Sequence, residues 1–189
     1  TEADMTRAEQ VRAALGRIAP DLVVHPAGIP DLDICEADPA KGFLVNFHGT
    51  RHVVEAARDV GAEVAYISTD AVFDGKKQMP YTESDPTIPP TVYGRTKLRG
   101  EQAVVTLPAH YIFRVSVLFG AGKTNCVEKG LRKIAAGEDY VVAADQVGTA
   151  SYTVDAAQKI MEVVEARCYG LYHLSNQGVC SRYDLARSA

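Results

Sequence analysis

The sequence predicts an α/β fold built on a doubly wound parallel sheet. Three observations lead there. Short apolar runs rich in β-formers, DLVVH at 21–25 and VAYIS at 64–68, alternate with longer stretches of helical periodicity. The order helix, strand, helix, strand at the start of the chain is that of parallel α/β winding. Hydroxyl and acidic residues follow directly on the second apolar run, at the strand end where open α/β sheets bind their ligands.

Thr6 to Ile18 places Val11, Leu15 and Ile18 on one helical face; Thr6 and Glu9 have capping-box spacing, and Pro20 closes the segment. Asp21 to His25 is a short buried strand ended by His25-Pro26-Ala27-Gly28. A lone His at a strand end is expected as a satisfied structural side chain. Asp31, Asp33, Glu36 and Asp38 form an acidic loop. Hard cations bind oxygen, but these carboxylates lack a ligand pattern and are expected to be solvated or to cap helices. Lys41 to Val60 reads as one long helix, with Phe43, Leu44, Phe47, Val54 and Ala57 inward and Asn46 upon it. Asn46 is expected either to help order a site or to bond backbone in the core.

Val64 to Ser68 is the next strand, with Ser68, Thr69 and Asp70 at its end. A loop with Pro80, Pro86, Pro89 and Pro90 leads into a helix carrying Tyr93 and Lys97. Tyr111 to Val115 is a strand whose Arg114 must be paired or solvated, and an ion pair is expected. Gly120 and Gly122 permit a tight turn, after which Lys123, Thr124 and Asn125 lead into a helix from Cys126 to Ala136. Asp139 to Ala143 reads as a strand, Val154 to Arg167 as a helix, Gly170 to Ser175 as a strand, and a last helix begins at Arg182.

The 189 residues are 47% apolar and 23% charged, an ordinary globular composition. A chain of this length can bury about 70% of its unfolded surface without staples. The net charge is −4 with no basic block, which argues against nucleic acid and membrane surfaces as partners. Apolar runs are far short of a membrane span. The four cysteines form no Cys-x-x-Cys pair and no zinc-ligand spacing, so no metal site is expected. Free thiols, with no visible signal peptide, fit a cytoplasmic protein. Cys126, near the turn, is given no catalytic role.

Tyr93 and Lys97 share one helical face, and Thr69 sits at a strand end. A hydroxyl, a phenol and an ammonium that converge suit ketone reduction by hydride, which leaves an oxygen needing a proton. A free phenol titrates near about 10, and an adjacent ammonium can lower it by roughly 1–3 units. Thr69 can hold the carbonyl oxygen against the Tyr93 hydroxyl. A Tyr-x-x-x-Lys spacing is weak by itself, and its context carries the reading.

That context is STDAVFDG, PYTESDPTIPP and VYGRTKLRGEQAV, with DLVVHPAGIPDLDICEADP and VNFHGTRHVVEAARDVGA before them and FRVSVLFGAGKTN and DQVGTASYTVDAA after. Together these closely resemble the extended short-chain dehydrogenase/reductases, and within them the dTDP-4-dehydrorhamnose reductases and their relatives. The resemblance implies a Rossmann-like sheet lacking its N-terminal strands here, with the C-terminal part of the dinucleotide-binding domain at 1–122. Part of a small substrate-binding region follows at 123–189, interleaved with the sheet. It implies Thr69, Tyr93 and Lys97 as the catalytic set, and Ala27, Gly28, Ser68, Tyr93 and Lys97 against an NADP or NAD cofactor. Asn125, Gln146 and Thr149 would contact a nucleotide-sugar substrate. The implied activity is NAD(P)H-dependent reduction of a nucleotide-activated 4-keto sugar by a cytoplasmic homodimer.

The Gly-rich dinucleotide turn is not in the sequence, so a fragment or one part of an assembly is expected, and the selector between NAD and NADP is not legible. Several positions depart from the family. His25 and Pro26 replace its usual residues at the strand end. Ala71 and Val117 stand where the rhamnose-pathway reductases carry aromatics, and Pro30 replaces a hydroxyl residue. These changes bear on which sugar is bound and leave the hydride chemistry intact. Two alternatives share the scaffold. One is a non-catalytic subunit like the regulatory subunit of methionine adenosyltransferase, which keeps Tyr-x-x-x-Lys and would co-purify with a partner without turnover. The other is a sugar-nucleotide epimerase or dehydratase, marked by tightly retained cofactor.

Overall fold

Residues 3–122 and 125–188 are described by a computed structural model, apart from the side chain of Cys126; the predicted lead-in at Lys123 and Thr124 lies outside them. The contacts divide the chain into two units. The first runs to Arg114 and takes back Arg167–His173; the second holds Val115–Ala166 and the residues from Leu174 onward. The division thus falls after Arg114, where the sequence suggested 122.

The first unit is α/β, with the Rossmann-like parallel pairing the sequence predicts. Its elements are α1 (Ala8–Ile18), β1 (Leu22–His25), α2 (Leu32–Ala37), α3 (Pro39–Phe43), α4 (Thr50–Val60), β2 (Glu63–Thr69), α5 (Val92–Val104) and β3 (His110–Val115). The returning strand β7 spans Gly170–Leu174, and the sheet order is β1-β2-β3-β7. β1 and β2 run parallel, with Leu22 beside Glu63 and His25 beside Tyr66. The core lies between this sheet and its helices: Val54, Ala57, Val64, Tyr66, Val104, Leu107 and Ile112 pack together.

Local chemistry departs from the sequence pattern in three places. The predicted Thr6–Glu9 capping box does not form. Arg7 occupies the N-cap without a side-chain bond, and Thr6 turns back, donating both its N–H (2.9 Å) and its hydroxyl (2.7 Å) to Asp4 Oδ1. The long helix predicted over 41–60 is two α-helices, α3 and α4, joined by a π-helical turn at Leu44–Gly49. Such a turn inserts a residue and rotates the inward face. Leu44, expected inside, is 45% exposed, while Gly42, Asn46, Gly49 and Thr50 are buried. Finally, 139–143 is not a strand. Val141 is 91% exposed, and pairing forms instead beyond it.

In the second unit, β4 (Val117–Phe119) pairs parallel with β6 (Ala150–Tyr152). β5 (Val147–Gly148) pairs antiparallel with β8 (Cys180–Ser181). The helices α6 (Cys126–Ala135), α7 (Thr153–Glu165) and α8 (Arg182–Ser188) complete it. Among the described residues, no helix is long and apolar enough to cross a membrane.

The acidic loop does cap helices. Asp31 Oδ1 accepts from the N–H of Ile34 and Asp38 Oδ1 from that of Lys41, at 3.0 Å each, while Glu36 Oε1 accepts from Val92 N at 2.7 Å. The first two start α2 and α3; the third, with Thr91 accepting from Gly94 N at 3.0 Å, starts α5. Capping of this kind contributes about 1 kcal/mol per helix.

α5 buries Val92, Thr96, Lys97, Gly100, Glu101 and Val104, a stripe at helical spacing. Gly94 and Gly100 each cost a helix roughly 1 kcal/mol. Burying Val92 and Val104 contributes about 1.5–3 kcal/mol apiece and outweighs that. The glycines also set how near α5 can come. A Cβ at Gly100 would lie 2.3 Å from Tyr66 Oη, and one at Gly94 2.2 Å from the Ala71 carbonyl oxygen. Gly100→Ala is therefore expected to destabilise the full-length protein by about 1–3 kcal/mol, despite the gain in helix propensity. Urea denaturation measures it, and a stabilised variant would contradict the close approach.

Candidate active site

β2 delivers Thr69 at its carboxyl end, and α5 returns Tyr93 and Lys97 over the same strand. Thr69 and Tyr93 are brought together: the Thr69 hydroxyl lies near enough to the Tyr93 phenol to act on its proton. Thr69 Oγ1 donates to Asp70 Oδ1 and accepts from Ala71 N, both at 3.2 Å. Thr69 is buried, whereas Tyr93 is partly exposed. Burial pushes the Tyr93 phenol up to about 12, the nearby Thr69 hydroxyl acts against this, and Asp70 and Cys35 add to it. At neutral pH the phenol keeps its proton.

Lys97 is placed differently from the sequence expectation. Its Nζ donates to the Ile67 carbonyl at 2.6 Å and lies 4.1 Å from the centroid of the Tyr66 ring. It is buried, and burial lowers it to about 7, against an opposing pull from Glu101. The predicted lowering of Tyr93 by Lys97 does not appear. Desolvation acts on both groups and favours the neutral form of each, so near neutrality the ammonium is only part-charged.

Ser68 is buried, and its hydroxyl donates to Glu101 Oε1 at 2.5 Å. Arg114 grips the same carboxylate, Nε to Oε1 at 2.9 Å and Nη2 to Oε2 at 2.7 Å. This is the ion pair expected of Arg114. Its guanidinium also lies 5.1 Å from the Phe73 ring. Sequence reasoning missed Glu101. Its signal was the position one turn beyond Lys97, on the same helical face.

Ala27 and Gly28 are exposed after β1. Asn46 holds the adjoining backbone: Oδ1 accepts from Ile29 N at 2.7 Å, and Nδ2 donates to Ile29 O and Thr96 Oγ1, both at 3.0 Å. Of its two expected roles, bonding to backbone is the one seen. Thr96 in turn donates to the Tyr93 carbonyl at 2.7 Å, so Asn46 ties the loop after β1 to α5. A Cβ at Gly28 would stand 2.9 Å from Asn46 Oδ1.

His25 is structural, as expected. Thr50 Oγ1 donates to Asn46 O at 2.7 Å, so at 3.0 Å it accepts from His25 Nε2, which carries the proton. The three substrate candidates lie in the second unit. Asn125 caps α6, with Oδ1 accepting from Val127 N and Glu128 N at 3.1 Å and Nδ2 donating to Gly120 O at 2.9 Å. Gln146 is exposed, and its carbonyl accepts from Arg182 N at 3.2 Å. Thr149 is half-buried between β5 and β6. Among the described residues, no three His, Cys, Asp or Glu side chains are grouped to hold a metal ion.

The family model of the RmlD substrate binding domain matches residues 1–189. The chain belongs to this family. It is 37% identical over 177 residues to the spore coat polysaccharide biosynthesis protein SpsK of Bacillus subtilis, covering 93% of this chain and 62% of that protein. It is 40% identical over 182 residues to a dTDP-4-dehydrorhamnose reductase of Streptomyces griseus, covering 93% and 60%. A solved dTDP-4-dehydrorhamnose reductase from Bacillus anthracis, in complex with NADP, superposes with a TM-score of 0.91 at 34% identity, covering 98% of this chain and 66% of that one. The chain thus spans less than two thirds of the length of these RmlD-type relatives.

A structural residue beside the site, His25, gives the RmlD-type chain a pH dependence. Burial, then Lys97, hold His25 down at about 4 from 6.5. The folded state binds this proton less readily than the unfolded chain. The associated stability is full above pH 6.5 and is lost as pH falls from 6.5 toward 4. The loss reaches about 3 kcal/mol at most. His25→Gln removes a titrating group, so urea midpoints at pH 7 and pH 4.5 are expected to differ less in the variant than in the wild type.

Proposed function

We propose that this chain forms the catalytic and substrate-binding part of a nicotinamide-dependent reductase acting on a nucleotide-activated 4-keto sugar. The observation that carries the reading is the convergence of the Thr69 and Tyr93 side chains at the carboxyl end of β2, with Lys97 one turn further along α5. The relatives' names support the substrate class, since the Streptomyces griseus relative is a dTDP-4-dehydrorhamnose reductase. The Bacillus anthracis relative, bound to NADP, supports NADP, with NAD as the other candidate.

The residues present fit a dinucleotide. The exposed Ala27-Gly28 backbone, where Asn46 leaves no room for a Cβ at Gly28, offers close approach, and Tyr93 is partly exposed. Ala27, Gly28, Tyr93 and Lys97 would hold the cofactor. Ser68 would contribute through its backbone, because its hydroxyl is engaged by Glu101. When bound, the nicotinamide supplies a hydride to the carbonyl carbon.

The chain's own residues manage the oxygen. Tyr93, protonated at neutral pH, donates its phenolic proton to the developing alkoxide. The Thr69 hydroxyl turns from Asp70 to the carbonyl oxygen and aligns it. Lys97, part-charged near neutrality, adds positive charge from one turn further along α5. The second unit, with Asn125, Gln146 and Thr149, is assigned to the sugar nucleotide, and the reaction is placed in the cytoplasm, where Cys35 and Cys180 would remain thiols.

Full-length protein is expected to oxidise NADPH or NADH when given a dTDP-4-keto sugar. Tyr93→Phe should lower kcat by roughly 100-fold or more without moving the thermal unfolding midpoint. Absence of turnover by the wild type on any such sugar, or an unimpaired Tyr93→Phe, would sink this reading.

A further inference from the structure

Lys97 and Glu101 sit one turn apart on α5, and both are buried. They grip consecutive residues of β2: Lys97 Nζ bonds the Ile67 carbonyl, and Glu101 Oε1 takes the Ser68 hydroxyl. Thr69 is the next residue. Glu101 is near enough to Lys97 to influence its charge, yet both its oxygens are occupied by Arg114 from β3. The two buried cations therefore compete for one carboxylate, and Arg114 has it.

We propose that Glu101 and Arg114 are positioning residues for the Thr69–Tyr93–Lys97 group: Arg114 captures Glu101, which then fixes the end of β2 without becoming the counter-ion of Lys97. This role rests on the reductase reading above. Geometry favours the capture. A guanidinium presents two parallel donors to a carboxylate, which an ammonium cannot match. Lys97 is left with a carbonyl and an aromatic face, partners that hold the amine whether or not it is charged. Its charge then responds to small changes around it. The second proposed consequence is mechanical, since Ser68 anchors the residue before the carbonyl-orienting hydroxyl.

The groups that face Lys97 can be named. From β1 comes His25, neutral above about pH 4. From β2 comes Tyr66, whose phenol burial pushes far up, so it does not ionise in the working range. From α5 comes Glu101, and Arg114 acts from β3 through Glu101. Between pH 5 and 9 the Glu101–Arg114 pair is thus the perturbation that mutation can alter.

The test is a titration of Lys97 by NMR of full-length protein carrying labelled lysine, assigned with Lys97→Arg, beside the pH profile of kcat. Glu101→Gln removes the carboxylate and should lower the Lys97 midpoint by about one pH unit. Arg114→Met releases the carboxylate toward Lys97 and should raise it by a similar amount, and Arg114→Lys should restore part of the wild-type value. The limb of the kcat profile that reports Lys97 should move with each midpoint.

Either single variant leaves a buried charge without its partner. The double variant Glu101→Gln/Arg114→Met does not, and it should titrate between the two singles, within about half a pH unit of wild type. Shifts in the same direction, no shift, or a double variant displaced by about one unit or more would overturn the capture. Opposite midpoint shifts with an unmoved kcat profile would overturn the positioning role. The titration needs no turnover, so a failed reductase assay on wild-type protein is read separately.

Discussion

The close seating of α5 on β2 sets the rest of the first unit. Gly100 lies where any side chain would strike Tyr66, and Gly94 where one would strike the Ala71 carbonyl. At that distance the polar residues of the helix's inner face cannot reach water. Thr96, Lys97 and Glu101 must all find partners within the protein, because an unpaired buried charge costs several kcal/mol. They do so on three different elements: Asn46 in the π turn, Ile67 and Ser68 in β2, and Arg114 in β3. The result is a polar lattice whose members cannot shift independently. Thr69 and Tyr93 are attached at its edge.

The same burial explains the protonation states. Desolvation disfavours charge of either sign, so it raises the phenol and lowers the ammonium and the imidazole. At neutral pH this leaves a protonated Tyr93, a neutral His25 and a Lys97 close to its midpoint. An acid that must give up a proton only as an alkoxide forms benefits from keeping that proton beforehand. Sequence spacing alone puts Lys97 where its charge would push the phenol the other way. That expectation weighs a Coulomb attraction without the burial that weakens the ammonium itself.

What was legible in the sequence was periodic or punctuated. The β2 and β3 runs and the shared face of Tyr93 and Lys97 on α5 announce themselves through pattern and spacing. The π turn did not, because a single inserted residue leaves every heptad-scale pattern nearly intact while turning Leu44 out and Asn46 in. The apolar run at 139–143 misled for another reason. Strand propensity is expressed only against a partner, and the neighbouring pairs formed at Val147–Gly148 and Ala150–Tyr152 instead. Glu101 went unread because a charged residue on a helix is usually a solvated one. Only the depth of α5 makes it otherwise.

The second unit uses its polar groups in a contrasting way, and this bears on selectivity. The Asn125 amide is engaged by main-chain groups on both sides of the turn into α6. Asn176 likewise accepts from Tyr152 N and donates to Asp155, both at 2.7 Å. Side chains that hold loops in place fix the shape of a surface. In the proposed reading, the choice among ligands then falls to exposed groups such as Gln146. The proposed hydride chemistry rests on Thr69, Tyr93 and Lys97 of the first unit, so the proposed reaction type and the proposed sugar specificity can vary separately.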